Sequence, residues 1–188
     1  MTMDDELHLA DRRLLRELAD REQIREVLYR MSRAIDRHDM DLRASVWHPD
    51  ATDNHGIFDG SVADYTAWLV SDQSPASKFD HTQHMLGNIL IELDGDVADT
   101  ESYLLATHVM HDDAGEYFDI MGCRYFDRLE RRNGEWRIAV RQVLVDWRTA
   151  ARADETCPPF PGFEHFLRGQ RGPGDFSRQA GFYPSPGQ

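Results

Sequence analysis

A chain of 188 residues fits one domain with extra segments, and 40% apolar residues including four Trp suffice for a folded core around a ligand cavity. The excess of 34 acidic over 21 basic residues, a formal charge of -13, repels phosphate backbones and anionic lipid, so nucleic acid and membrane surfaces are excluded as partners. The apolar runs are too short to span a membrane and the N-terminus lacks the basic start of a signal peptide, so cytoplasmic residence is expected.

Helical spacing comes first. Residues 5–18 carry Leu7, Leu14, Leu15 and Leu18 among charges, a short amphipathic helix expected outside the main domain. Asp20 followed by Gln23 reads as a capping box, and Ile24, Val27, Leu28, Met31 and Ile35 then predict a main helix over about 21–37. A further short helix, 40–47, should end at His48-Pro49-Asp50, because the residue before proline is pushed out of the helical region. A strand over 51–58, a turn at Asp59-Gly60 and a third helix carrying Val62, Tyr65, Trp68 and Leu69 follow.

From Lys78 the pattern becomes β-rich. Four strands are expected over 79–93, 98–111, 117–131 and 136–147, the last pair joined at Asn133-Gly134, a strong hairpin signal. Helices followed by a curled antiparallel sheet make an α+β layout whose concavity can hold a ligand. The chain therefore divides into an N-terminal extension, 1–19, a domain, 20–148, and a Pro/Gly-rich C-terminal arm, 149–188, whose aromatics, such as Phe160, Phe166, Phe176 and Tyr183, are expected to pack it down. Cys123 and Cys157 sit in unlike contexts and are read as free thiols, Cys123 within a strand.

His84 lies mid-strand, where period two places it with Leu86, Asn88 and Leu90 on one face. It is either a general base, since imidazole titrates near neutrality, or a hydrogen-bonded core histidine. Asp36 ends the main helix on the flank of its apolar stripe, where a carboxylate opposes the macrodipole and gains nothing locally, so it has reason to serve elsewhere. Arg141, on a strand face with Ala139, Val143 and Val145, needs an anion: a structural carboxylate or a substrate oxygen. The pairs His81/His84 and His108/His111 have the wrong spacing to chelate a metal from one strand, because positions i and i+3 face opposite ways. No Walker loop, dinucleotide glycine fingerprint or nucleophile elbow occurs, and acid-base chemistry without metal or cofactor is what remains.

The segments Ala34-Ile35-Asp36-Arg37-His38-Asp39, Trp47-His48-Pro49-Asp50-Ala51, Thr82-Gln83-His84-Met85-Leu86-Gly87-Asn88 and Trp136-Arg137-Ile138 through Arg141 to Asp146-Trp147 resemble, in order and spacing, the SnoaL-like branch of the NTF2-like superfamily. Within it the chain is similar to the scytalone dehydratases, hexachlorocyclohexane dehydrochlorinases and bile acid 7α-dehydratases. The resemblance spans roughly residues 15–150. It implies a cone-shaped α+β barrel, catalysis without a cofactor, an Asp-His dyad at Asp36 and His84, and a pocket arginine at Arg141. Two tyrosines common in such relatives are replaced, by Met31 and His55, so the acid must come from elsewhere, His55 or His108 being candidates. Substrate contacts are expected from His55, His108, Tyr29, Trp47 and Asn88.

The expected activity is β-elimination of a dehydratase type on a small hydrophobic, cyclic substrate of steroid- or polyketide-like character. An isomerase or polyketide cyclase using the same base, a non-catalytic small-molecule binder, and an assembly subunit like those of aromatic-ring dioxygenases are the alternatives. A homo-oligomer, dimer or trimer, is expected because the open side of a curled sheet presents apolar residues.

Overall fold

The computed structural model describes residues 3–152 and 161–179. Instead of two helices, a single helix α1 runs from Met3 to Asp36. Asp20 is not its cap: the carboxylate, midway along, accepts Arg131 Nη1 at 2.6 Å and Trp136 Nε1 at 3.0 Å. The local capping signal is overridden by partners brought from the other end of the chain. Residues 8–19 are exposed throughout, whereas Ile24, Val27, Leu28 and Met31 are buried on the sheet. Each such side chain contributes about 1.5–3 kcal/mol by leaving water.

Helix α1 stops because His38 turns left-handed, with φ +49°, and Asp39 N–H then closes on Ala34 O at 2.8 Å. Asp39 at once caps the next helix, α2 (Met40–Ser45), its Oδ1 accepting from Leu42 N–H at 3.1 Å. The strand that follows, β1 (Trp47–Asn54), starts earlier than expected and takes in Pro49. Its register against the last strand is broken between Trp47 and Thr52, so no regular ladder bond is demanded of the proline. The expected strand over 51–58 is in fact a reversal at Gly56 into β2 (Asp59–Ser61), which contains the Asp59-Gly60 pair read as a turn. Helix α3 (Val62–Leu69) forms where its spacing puts it, capped by Ser61.

The four long strands are β3 (His81–Asp94), β4 (Val97–Asp112), β5 (Gly115–Arg132) and β6 (Glu135–Arg152). They pair in the order β2-β1-β6-β5-β4-β3. All neighbours are antiparallel except β1 and β6, which run parallel, so the sheet is not wholly antiparallel as expected. Helix α1 packs across β3 and β6, and α3 covers β1 and β2. The fold is the NTF2-like cone of helices on a strongly curved sheet. Its closed end is filled by Ile24, Leu28, Met31, Leu129, Trp136 and Ile138. A smaller cluster, Leu104, Ala106, Cys123 and Tyr125, lies further along the strands. Between that cluster and the helices the packing is left open, and there the cavity lies.

Of the C-terminal arm, Cys157 to Phe160 and Phe182-Tyr183 lie outside the described residues. The part that is described docks by polar contacts: Gly172 N–H donates to Arg37 O at 2.7 Å, and Arg178 pairs with Asp39 at 2.6 Å. Phe166 and Phe176 are more than half exposed.

Candidate active site

The cavity has a volume of about 280 Å³. Met31 and Ile35 of α1, Tyr65 and Trp68 of α3, Leu104 and Ala106 of β4 and Met121, Cys123 and Tyr125 of β5 give it a largely apolar wall. Four imidazoles interrupt this lining: His38, His55, His84 and His108.

His84 and Asp36 meet as their positions suggested. His84 Nδ1 lies 2.7 Å from Asp36 Oδ1, with only 9% and 11% of the two side chains exposed. The carboxylate also accepts the His84 backbone N–H at 2.9 Å and Thr82 Oγ1 at 3.1 Å. A carboxylate held by three donors orients the ring and selects the tautomer with Nδ1 protonated. Nε2 is the nitrogen left for a ligand.

His108 packs edge-on to His84, with ring centroids 5.5 Å apart, and stacks on Phe79 at 4.4 Å. Burial, and then the neighbouring His84, push its pKa down to about 4. It is therefore neutral near pH 7, and its Nδ1 has no hydrogen-bond partner among the described residues. Such a ring presents a hydrogen bond rather than a charge. His81 and His111, the other halves of the i, i+3 pairs, are exposed, as strand geometry requires. Among the described residues no cluster of three metal-ligating side chains occurs.

His55 has a carboxylate of its own, which its sequence neighbourhood did not single out. Its Nδ1 lies 2.5 Å from Oδ1 of Asp53, a side chain with no exposed surface. The ring stacks on Tyr65 at 4.8 Å and lies 6.4 Å from Tyr125. Desolvation raises the pKa of both phenols, so each stays protonated and able to donate.

Arg141 does not line the cavity. Its Nε and Nη2 grip both oxygens of Asp127 at 2.7 and 2.8 Å, directly opposite on β5, and it stacks over Tyr125 at 3.9 Å. Burial works against this cation, but the Asp127 carboxylate more than offsets it and keeps the guanidinium charged. The anion that its apolar surroundings called for is thus a structural carboxylate. Trp47 is also buried away from the cavity, its Nε1 donating to Met31 Sδ at 3.2 Å. Tyr29 is exposed on α1, beside a shallow groove on the outer side of Asp36 and His84. Asn88 is exposed because β3 breaks register between Leu86 and Ile89. Thr82, His84 and Leu86 face inward, then Ile89, Ile91 and Leu93, so the face expected to carry Asn88 and Leu90 changes over at the bulge.

Two arginines that sequence patterning did not reveal stand at the cavity. Arg43 of α2 is 1% exposed, lies between the rings of Trp47 and Tyr65 and donates to Thr66 Oγ1. Burial lowers its pKa. Arg171, from the arm, donates to the carbonyls of Phe79 at 2.8 Å and Ala76 at 3.2 Å and to His38 Nδ1 at 3.3 Å, closing one side of the mouth. Neither carries a periodicity signal, because each is placed by a tertiary partner.

Residues 16–142 match the model of the SnoaL-like domain. An uncharacterized protein of Mycobacterium tuberculosis (strain ATCC 25618 / H37Rv) is 31% identical over 132 residues, which cover 68% of this chain and 85% of that protein. Among solved structures, a type 2 hexachlorocyclohexane dehydrochlorinase superposes with a TM-score of 0.67 at 20% identity, covering 79% of this chain and 99% of the other. An NTF2-like protein with a cystatin-like fold from Novosphingobium aromaticivorans gives 0.62 at 24% identity, covering 77% and 92%. At these identities the structural likeness speaks for the fold, whereas the domain match covers most of the chain. The protein belongs to the SnoaL-like domain family.

Proposed function

We propose that the protein is a lyase of the dehydratase type, in which His84 takes a carbon-bound proton from a small, apolar, cyclic substrate and an oxygen function leaves the adjacent carbon. The observation that carries this reading is the 2.7 Å contact of His84 Nδ1 with Asp36 at the wall of an apolar cavity. Asp36 orients the ring and stabilises the imidazolium that forms, while Nε2 accepts the proton. The C–H electron pair becomes the new double bond and the oxygen departs with the C–O pair. The low dielectric of the cavity strengthens each of these interactions, and Arg171 limits the entry of water. The likeness in fold to a dehydrochlorinase, itself named for an elimination, is consistent with this.

Base and leaving group are separable experimentally. Exchange of the α-protons of 2-tetralone in D₂O, followed by NMR, reads the base alone. The protein should accelerate this exchange and His84→Gln should abolish the acceleration. Acceleration that survives in His84→Gln assigns the base elsewhere, and none in the intact protein removes the lyase reading.

A homo-oligomer belongs to the same proposal. On the outer sheet face Met85, Leu105, Gly122 and Trp147 form one row across four strands, with Met85 57% and Trp147 51% exposed. Such a row suits burial against a second copy.

A further inference from the structure

The cavity contains a second histidine held by a buried carboxylate, on the wall away from the first. Strand β1, which delivers Asp53 and leads into His55, lies near one end of the sheet, and β3, which carries His84, at the other, with β6, β5 and β4 between them. Both rings line the same space. Both use Nδ1 for their aspartate and have Nε2 left for a ligand.

The two carboxylates differ in how their charge is met. Asp36 accepts from Thr82 Oγ1 and the His84 backbone N–H as well as from the ring. Asp53 has no exposed surface, accepts only from His55, and its Oδ2 has no partner among the described residues. A buried anion with one donor requires positive charge beside it. The guanidinium groups of Arg141 and Arg43 are near enough to act on Asp53 but are hydrogen-bonded to Asp127 and Thr66. The group bonded to Asp53 is the imidazole of His55. Two protonated imidazoles in one poorly solvated space would repel, so the two dyads are suited to opposite roles. That division suits a base on one wall and an acid on the other.

Building on the proposed elimination, we infer that His55 is its general acid and Asp53 the residue that positions and charges it: as His84 Nε2 takes the carbon-bound proton, His55 Nε2–H protonates the leaving oxygen. The C–H pair becomes the double bond, the C–O pair stays on the oxygen, and the proton from His55 completes water or an alcohol. Exchange with solvent then returns His84 to the neutral form and His55 to the charged one. The rings of Tyr65 and Tyr125 lie beside His55 and line the same cavity. The substrate class this selects bears an acidic C–H facing β3 and a poor oxygen leaving group facing the end of β1.

Ring-opening of 1,2-benzisoxazoles supplies the test. In that elimination a base removes the C3 proton, the N–O bond breaks, and a cyanophenol oxygen leaves. The 5-nitro compound has a good leaving group that needs no acid; the unsubstituted compound has a poorer one. His55→Gln should lower kcat/KM for the unsubstituted compound about 100-fold and for the nitro compound no more than about threefold, the contribution usual for a positioned acid. Asp53→Asn should give the same split, and His84→Gln should abolish both reactions. If Asp53→Asn does not fold, His55→Gln, at a partly exposed side chain, decides alone. Equal losses on the two probes, or none, with turnover still dependent on His84, overturn the acid and leave the base standing. No His84-dependent turnover of either probe removes the base and takes the acid with it.

Discussion

The carboxylate of Asp36 holds His84 twice, accepting the ring Nδ1–H at 2.7 Å and the backbone N–H at 2.9 Å. Ring and strand are thus fixed to the end of α1 by one side chain, and the orientation of the proposed base does not depend on a loop. Asp36→Asn preserves shape but removes the charge that stabilises the imidazolium and weakens the choice of tautomer. We expect the 2-tetralone exchange rate to fall by roughly 10³–10⁴-fold with the melting temperature changed little, the scale of loss seen for an aspartate in a catalytic triad. Exchange at the normal rate in this variant contradicts the role given to Asp36.

Arg141 and Asp127 make the opposite prediction. Breaking a buried pair strands a charge, so Arg141→Met should destabilise the fold by about 3–5 kcal/mol. The double change Arg141→Met with Asp127→Leu should recover most of that, as read by urea denaturation. In the double variant the exchange reaction should persist, because neither residue lines the cavity. Loss of exchange in a stable double variant would return Arg141 to the site.

His108 sets a pH dependence of stability. Its pKa in the folded protein is about 4, below the unfolded value, so between roughly pH 6.5 and 4 the unfolded chain binds the extra proton. Stability therefore rises with pH across that window, and the imidazole contributes its penalty as pH falls through it. The full difference is on the order of 3 kcal/mol. His108→Asn should flatten the wild-type slope between pH 4.5 and 7 in urea titrations, and an unchanged slope counts against a neutral, desolvated His108.

Trp147 lies across Gly122, where a Cβ would come within 2.2 Å of the indole ring. The closeness keeps the ring flat against the outer face of the sheet, beside Leu105 and Met85. Trp147→Asp should shift the molar mass measured by light scattering toward the monomer without changing the circular dichroism spectrum. A mass unaltered by the substitution would place any self-association elsewhere.

Much of the fold was legible locally. The repeat of Ile24, Val27, Leu28 and Met31 marked the buried face of α1, and Asn133-Gly134 marked the β5-β6 hairpin, with φ values of +55° and +85° that suit these residue types. The misreadings have specific causes. Asp20 carried a cap signal that Arg131 and Trp136 override, and Asn88 shared a parity with His84 that the β3 bulge cancels. Asp53 went unmarked beside the candidate His55, because nothing local says that a side chain two residues back will be fully buried and bonded to the ring.

By itself the sequence determined the four long strands and the buried face of α1, the likeness to the SnoaL-like family, and an aspartate at a helix end and a histidine in a strand that each lacked a local purpose. These follow from periodicity and helix-end electrostatics, which act over a few residues. Only the tertiary structure decided which partner each of these side chains meets. It gave Arg141 to Asp127 through the β5-β6 register, His55 to Asp53 through the reversal after β1, and Arg171 to the cavity mouth through a docked arm. The reason is physical: a charge buried in a core is satisfied by whatever lies within about 3 Å, and that neighbour is chosen by register, bulge and closure, not by position in the chain.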